Sequence, residues 1–180
     1  MSMTVNELIT EIINGFEGEF VPDYDYLIDE YNSLVRSLFL MLPCADASLT
    51  LTSEDGKIEC GLAPAQVRRV FSRGAELLRA SKELVELLPE AKLYHAAEDG
   101  IYVTVNGECT VYYRALPDDV TSGTSLETAV FGDARTLSIV RAYLSRSAYL
   151  YLGDCDSADT YAAEYNSLLE DYKRENGVSG

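Results

Sequence analysis

The stretch from Phe131 to Arg174, FGDARTLSIVRAYLSRSAYLYLGDCDSADTYAAEYNSLLEDYKR, decides how the chain is read. Leu137, Val140, Leu144, Ala148 and Tyr151 recur at helical spacing after Asp133, and Gly153 supplies a stop. Asp156 is then expected to cap a second helix with the stripe Ala158, Tyr161, Ala162, Tyr165, Leu168, Leu169 and Tyr172. Its opposite face (Asp159, Glu164, Asn166, Glu170, Lys173) is polar, so this helix should bury one side only. The first helix is different, because Ile139, Tyr143 and Leu150 lie on another side from its main stripe. That pattern requires packing on two sides, either within one protomer or against a second.

Upstream, Thr4-Val5-Asn6-Glu7 fits a capping box, and Val5, Leu8, Ile9, Ile12, Ile13 and Phe16 mark one face of a helix ending near Gly15 or Gly18. After Pro22, Asp23 caps a helix whose apolar face runs from Tyr24 and Leu27 through Leu38 to Met41 and Leu42, ending before Pro43. The width of that face marks it as the central buried helix.

From Ala47 the period changes to two. Ser48 to Thr52 and Lys57 to Leu62 read as a hairpin around Ser53-Glu54-Asp55-Gly56; in Gln66 to Leu78, Val67, Val70 and Phe71 suit a helix or a strand, and the turn Ser72-Arg73-Gly74 favours a second short hairpin. Ser81 caps a short helical segment ended by Pro89, and Lys92 to His95 reads as a strand. Ile101 to Val105 and Cys109 to Arg114 flank Asn106-Gly107, the strongest hairpin signal in the chain. A polar loop through Thr128 then leads to the final helices. The expected fold is α+β: mainly a helical bundle, with two N-terminal helices (1–42) and a C-terminal helical hairpin (131–174), and a small antiparallel β-hairpin sheet inserted at 47–117. All of it is read as one domain, a size well able to bury a core.

Thirty acidic residues stand against fourteen Lys and Arg in a chain of 180, a net charge of -16. This opposes binding to duplex phosphates or an anionic membrane. The acid is unevenly spread. Residues 1–42 hold eight Asp or Glu against Arg36, a net of -7, whereas residues 64–92 hold six basic against four acidic residues, a net of +2. An acidic end and a mildly basic middle suit head-to-tail association, although an ordinary solvated surface would read the same way. The four cysteines (Cys44, Cys60, Cys109, Cys155) form no CxxC pair, so reduced thiols are expected. No apolar run reaches about 18 residues and no leader pattern is evident, so neither a membrane span nor export is inferred.

Candidate chemistry is sparse. His95 is the sole histidine and has no ligand-spaced Cys or Asp, and the Asp23, Asp25, Asp29, Glu30 cluster lacks the spacing and central Gly of a calcium loop. Asp154, Asp156 and Asp159 suit a link and a cap. No phosphate loop, nucleophile elbow or HExxH occurs, so no catalytic residue, metal or cofactor is expected and an enzyme is disfavoured.

One run carries a resemblance. Val67-Arg68-Arg69-Val70 heads a hairpin, Leu93-Tyr94 opens a strand, Gly100 to Val111 follows, and Tyr112-Tyr113-Arg114-Ala115-Leu116-Pro117 ends the β region. Ala142-Tyr143 through Gly153-Asp154 and Tyr165-Asn166-Ser167-Leu168-Leu169 then close the chain. Together these resemble the head-to-tail connector (portal adaptor) proteins of tailed bacteriophages and prophages. The resemblance covers roughly 67–174, and more loosely the N-terminal helices. It implies a structural subunit that forms a ring, usually of twelve copies, below the portal, with self, portal and a downstream tail or stopper protein as partners. DNA would pass nearby without specific binding, and the protein would sit at the head-tail junction of the virion or in the bacterial cytoplasm when expressed from a prophage. Protomer or portal contacts are then expected at Arg135, Ile139, Tyr143, Arg146 and Leu150, and at Arg68 and Arg69. The alternative from a different class is an acidic DNA mimic that occupies a basic nucleic-acid-binding partner.

Overall fold

A computed structural model of the chain describes residues 3–16, 20–41 and 46–176. It divides into two compact units, Met1–Pro43 with Leu116–Gly180, and Cys44–Ala115.

The first unit is helical. Helix α1 (Val5–Asn14) opens with the expected capping box: Thr4 Oγ1 accepts from Glu7 N at 3.2 Å, and Glu7 Oε2 accepts from Thr4 N at 2.7 Å. It stops at Gly15, while Gly18 lies outside the described residues. Helix α2 (Tyr24–Leu38) is capped by Asp23, which accepts from Tyr26 N at 2.9 Å. Helix α3 (Lys82–Leu87) belongs to the other unit. Helix α4 (Ala134–Tyr151) is capped by Asp133 Oδ1, which accepts from the Arg135 and Thr136 amides. Helix α5 spans Cys155–Asn176. Its cap is Asp154 rather than the expected Asp156: Asp154 Oδ1 accepts from Ser157 N at 3.1 Å, and Asp154 O accepts from Ala158 N. Gly153, at φ +78, ends α4 so abruptly that the next residue, Asp154, already caps α5.

Helix α4, not α2, is central, packing against α1, α2 and α5. Its main stripe buries Val140, Leu144 and Ala148 completely, and Ile139 on the second side is 1 % exposed. Each large side chain removed from water in this way stabilises the unit by about 1.5–3 kcal/mol. The return loop that precedes α4 is held to α2 by side chains: Asn32 bonds both backbone groups of Val120, and Tyr31 Oη accepts from Phe131 N at 2.8 Å.

The second unit overturns the expected small hairpin sheet. Its strands are β1 (Asp46–Ser53), β2 (Lys57–Ile58), β3 (Val67–Ser72), β4 (Ala75–Arg79), β5 (Leu93–Ala97), β6 (Gly100–Val103) and β7 (Gly107–Arg114), with α3 between β4 and β5. They form one seven-stranded mixed sheet in the order β1-β7-β3-β4-β5-β6-β2. The two outermost strands are consecutive in the chain and meet at the tight turn where Glu54 and Lys57 exchange both backbone bonds at 2.9 Å, so the sheet nearly closes into a barrel. Inward residues Ile58, Val67, Val70, Leu77, Tyr94, Ile101, Val103, Cys109 and Val111 fill it as a separate core. The fold is therefore α+β with a large sheet, and not a mainly helical bundle.

The difference lies in the strand partners. The β3-β4 hairpin forms as expected, with Ser72 opposite Ala75. Around Asn106-Gly107, however, β6 pairs with β5 and β2, whereas β7 pairs with β1 and β3, so the expected hairpin is absent. The same holds for Ser48 to Leu62: beyond its turn, β1 follows β7 and β2 follows β6. Two local turn signals have become one barrel corner, in which Gly56 N donates to Asn106 Oδ1, Val103 N to Gly56 O and Ser53 Oγ to Val105 O. Helix α3, capped by Ser81, makes the parallel β4-β5 pairing possible, because parallel neighbours need a crossover.

Candidate functional site

The five candidate contacts on α4 fall into different environments. Arg135 is ion-paired with Glu175, and Arg141 with Glu11. Both guanidinium groups are thus already engaged within the helical unit. Ile139 belongs to the core, which corrects its expected place at a contact: a side chain 1 % exposed has no area to offer a partner. Tyr143 faces α2 and α5. Its Oη donates to Glu30 Oε2 at 3.1 Å, and its ring meets Tyr165 edge-on at 5.4 Å. Ser147 Oγ donates to the same Glu30 oxygen at 2.9 Å. Arg146 is half-buried, and its charge acts on Tyr26, Tyr143 and Tyr165. Leu150 is 42 % exposed, beside Tyr151 at 50 %, and the Tyr151 ring lies 4.9 Å from that of Tyr26. Of the expected face, then, Arg135 (in its ion pair with Glu175) and Leu150 are exposed and Arg146 is half-buried, and the structure adds Tyr26 and Tyr151 to them.

Burial pushes the Tyr143 phenol up to about 12, helped by the neighbouring Glu30 carboxylate. A tyrosine in the unfolded chain ionises near 10. Between about pH 10 and 12 the unfolded state therefore sheds a proton that the folded state keeps, and stability falls as pH rises through that window. At neutral pH, Tyr143→Phe should cost about 1–2 kcal/mol through the lost bond to Glu30. In urea unfolding repeated at pH 8 and pH 11 that deficit should narrow at the higher pH; an unchanged deficit would show that the phenol titrates normally.

Arg68 and Arg69 are both exposed on β3, although strand alternation would turn one of them inward. The cause is a shift in β3-β7 register between Val67 and Arg69, a bulge that points two successive side chains outward. Arg69 Nε lies 3.9 Å from Glu76, while the Tyr94 hydroxyl donates to Arg68 O at 3.2 Å.

The residues weighed as chemistry take structural contacts. His95 Nδ1 lies 3.0 Å from Ala80 O, Asp23 and Asp154 cap helices, and Glu30 accepts two hydroxyl bonds. Among the described residues no group of three or more His, Cys, Asp or Glu is placed to hold a metal ion. Cys60, Cys109 and Cys155 are free thiols, and Cys44 lies outside the described residues. No helix among the described residues is long and apolar enough to cross a membrane.

The charge is divided as unevenly between the units as along the chain. The helical unit holds nineteen acidic against six basic residues, a net of -13, and the barrel unit eleven against eight, a net of -3. No family model matches the chain, and no curated protein matches it.

Proposed function

We propose that the chain is a head-tail connector subunit of a tailed bacteriophage or prophage, which assembles as a ring below the portal and joins capsid to tail. The reading rests first on the order of elements. Two capped N-terminal helices and a C-terminal Tyr/Leu-rich hairpin fold together into one helical unit, and the whole β region is inserted between them in the sequence. This is the order that the connector resemblance implies, with a larger sheet. The role is one of assembly, carried by surfaces, with self, portal and a tail or stopper protein as partners.

The contact on the helical unit is redrawn around Tyr26, Arg146, Leu150 and Tyr151. Exposed aromatic and Leu side chains beside a single Arg have the composition of an interface centre. Light scattering after size exclusion, with and without a portal ring from the same genome, tests the reading. A high-order ring or co-elution with the portal is expected, and Leu150→Glu should abolish either one while changing stability by less than about 0.5 kcal/mol, as for an exposed position. A second reading has one observation in its favour, the concentration of acid in the helical unit. A monomer indifferent to the portal, yet captured by a basic DNA-binding protein at low salt, would establish the DNA mimic instead.

A further inference from the structure

The barrel unit contains two turns of the same geometry and unlike sequence. Between β1 and β2 the central pair is Asp55 (φ 49) and Gly56 (φ 75); between β3 and β4 it is Arg73 (φ 51) and Gly74 (φ 77). Positive φ at both central positions marks the type I′ hairpin turn, for which Asn-Gly and Asp-Gly are the favoured pairs. Asp55-Gly56 conforms. Arg73 does not: a long side chain occupies a left-handed position that Asn, Asp or Gly would hold with less strain. Asp55 and Arg73 are the two non-glycine residues at positive φ among the described residues.

Where strain is stored, the side chain's surroundings are the place to look for its use. Arg73 lines a cleft of about 470 Å³ together with Ser72, Ala75, Leu77, Lys92, Val105 and Asn106. The β3-β4 turn, the entry to β5 and the corner before β7 supply these residues. Two cations line the cleft and no carboxylate does, in a chain of net charge -16. Among the described residues, neither Arg73 nor Lys92 makes an ion pair. Asn106 commits its Oδ1 to Gly56 N, which fixes the amide and leaves Nδ2 as a donor. A bidentate guanidinium, an ammonium and an amide N–H over an apolar floor suit a carboxylate.

We propose that this cleft receives side-chain carboxylates from the helical unit of a second copy of the chain. The proposal rests on the ring reading and names its head-to-tail contact. Charge complementarity selects the occupant, since the helical unit carries a net of -13. On its α2, Asp25 and Asp29 are exposed one turn apart and make no ion pair among the described residues. A duplex is disfavoured because an extended polyanion would reach beyond the two cations onto a barrel unit whose own net charge is -3.

The test uses the full chain at concentrations and with the portal ring at which it assembles. Arg73→Asn removes one cation while improving the turn, so together with Lys92→Gln it should melt at the wild-type temperature or above and yet weaken self-association roughly tenfold or more. A zero-length carbodiimide, which joins an amine to a carboxylate already in contact, should link Lys92 to an Asp or Glu of residues 1–43 or 116–180 in a mixture of 15N-labelled and unlabelled chains, and the link should be between copies. A ring that forms equally well from the double variant, or in which Lys92 stays unlinked, overturns the cleft contact and leaves the ring reading standing. Failure of the wild-type chain to assemble at any concentration, with or without portal, overturns both. Binding of a fluorescent DNA 20-mer by wild type that the double variant loses would assign the cleft to phosphate and overturn the carboxylate.

Discussion

Replacing Gly100 by Ala should destabilise the barrel unit by roughly 3–5 kcal/mol, enough to remove much of the stability of a small folding unit. Gly100 sits at φ +141, and a Cβ there would stand 2.7 Å from Ile58 O and 2.9 Å from Lys57 Cε. The Lys57 side chain can swing aside. Ile58 O belongs to the backbone of β2, which is joined to β6 by only two residue pairs, Lys57 with Tyr102 and Ile58 with Ile101. Relief of the clash therefore means parting β2 from β6 and exposing Ile58 and Ile101, now 0 % and 1 % exposed. Part of the expected loss is the strain of a non-glycine residue at this φ, about 1–3 kcal/mol, and the remainder is lost burial at about 1.5–3 kcal/mol per side chain. The Asp99 carboxylate holds the same seam from outside. It accepts from Tyr102 Oη at 2.7 Å and Lys57 Nζ at 3.0 Å, and the tyrosine bond, with the lysine beside it, keeps its pKa at about 2. Gly74→Ala is the control, because a Cβ added to Gly74 at φ +77 would meet nothing within 4 Å, so it should cost only about 1 kcal/mol. Urea unfolding of both variants separates strain from clash. Equal losses would show that the β2 seam yields freely and that closure of the sheet contributes little to stability.

That seam also explains why the sheet is hard to read from the sequence. Strand pairing is a relation between distant residues, and the clues in the sequence are local. Asn106-Gly107 between two alternating runs has every local mark of a hairpin, and Gly107 does adopt a positive φ of +105. Yet β6 and β7 part company there, because each finds more extensive pairing elsewhere: β7 matches all of β1 and most of β3, segments that lie far back in the chain. Helix ends, by contrast, are decided within four residues, and Thr4, Asp23, Ser81 and Asp133 cap where their side chains indicate. Asp156 does not cap for an equally local reason, since Gly153 leaves Asp154 in the capping position two residues earlier.

The candidate contacts divide along the same line. The second apolar side of α4 is legible, but Ile139 and Tyr143 serve packing inside the helical unit, while Leu150 and the ion-paired Arg135 are exposed and Arg146 is half-buried. Periodicity reports that a side needs cover and not what covers it. The Arg73 cleft has one signal in the sequence, an Arg-Gly pair in a turn that ordinarily takes Asn-Gly or Asp-Gly, and its meaning depends on Lys92 and Asn106 arriving from distant segments.

Asn32→Ala should cost the helical unit about 2–5 kcal/mol, more than its loss of side-chain area explains. Asn32 is 8 % exposed on α2 and treats Val120 as a strand neighbour would: Oδ1 accepts from Val120 N at 2.9 Å and Nδ2 donates to Val120 O at 2.8 Å. The return loop has no sheet or helix to satisfy its backbone at this point, and Val120 is itself 5 % exposed. Removing the amide leaves a buried N–H and a buried C=O without partners, at about 1–3 kcal/mol each. Nearby, Tyr24 Oη donates to Asn6 Oδ1 at 2.8 Å and lies 2.9 Å from Ser125 Oγ, so the loop is pinned to α1 and α2 at several places and should loosen locally before the helices part. Hydrogen exchange should then show the Val120, Ser125 and Phe131 amides losing protection first. Asn32→Asp supplies the sharper test. At pH 7 its carboxylate still accepts from Val120 N but turns a negative oxygen toward Val120 O, so it should be at least as destabilising as Ala. Burial and that carbonyl raise the folded-state pKa of the new acid above the unfolded value of about 3.9. Its protonated form, able to donate to Val120 O, is favoured below that value and lost as pH rises through the folded pKa. Asn32→Asp should accordingly regain part of its deficit relative to wild type on acidification from pH 7 to 4. A deficit that is flat with pH would mean that water or a relaxed loop, and not the amide, satisfies Val120.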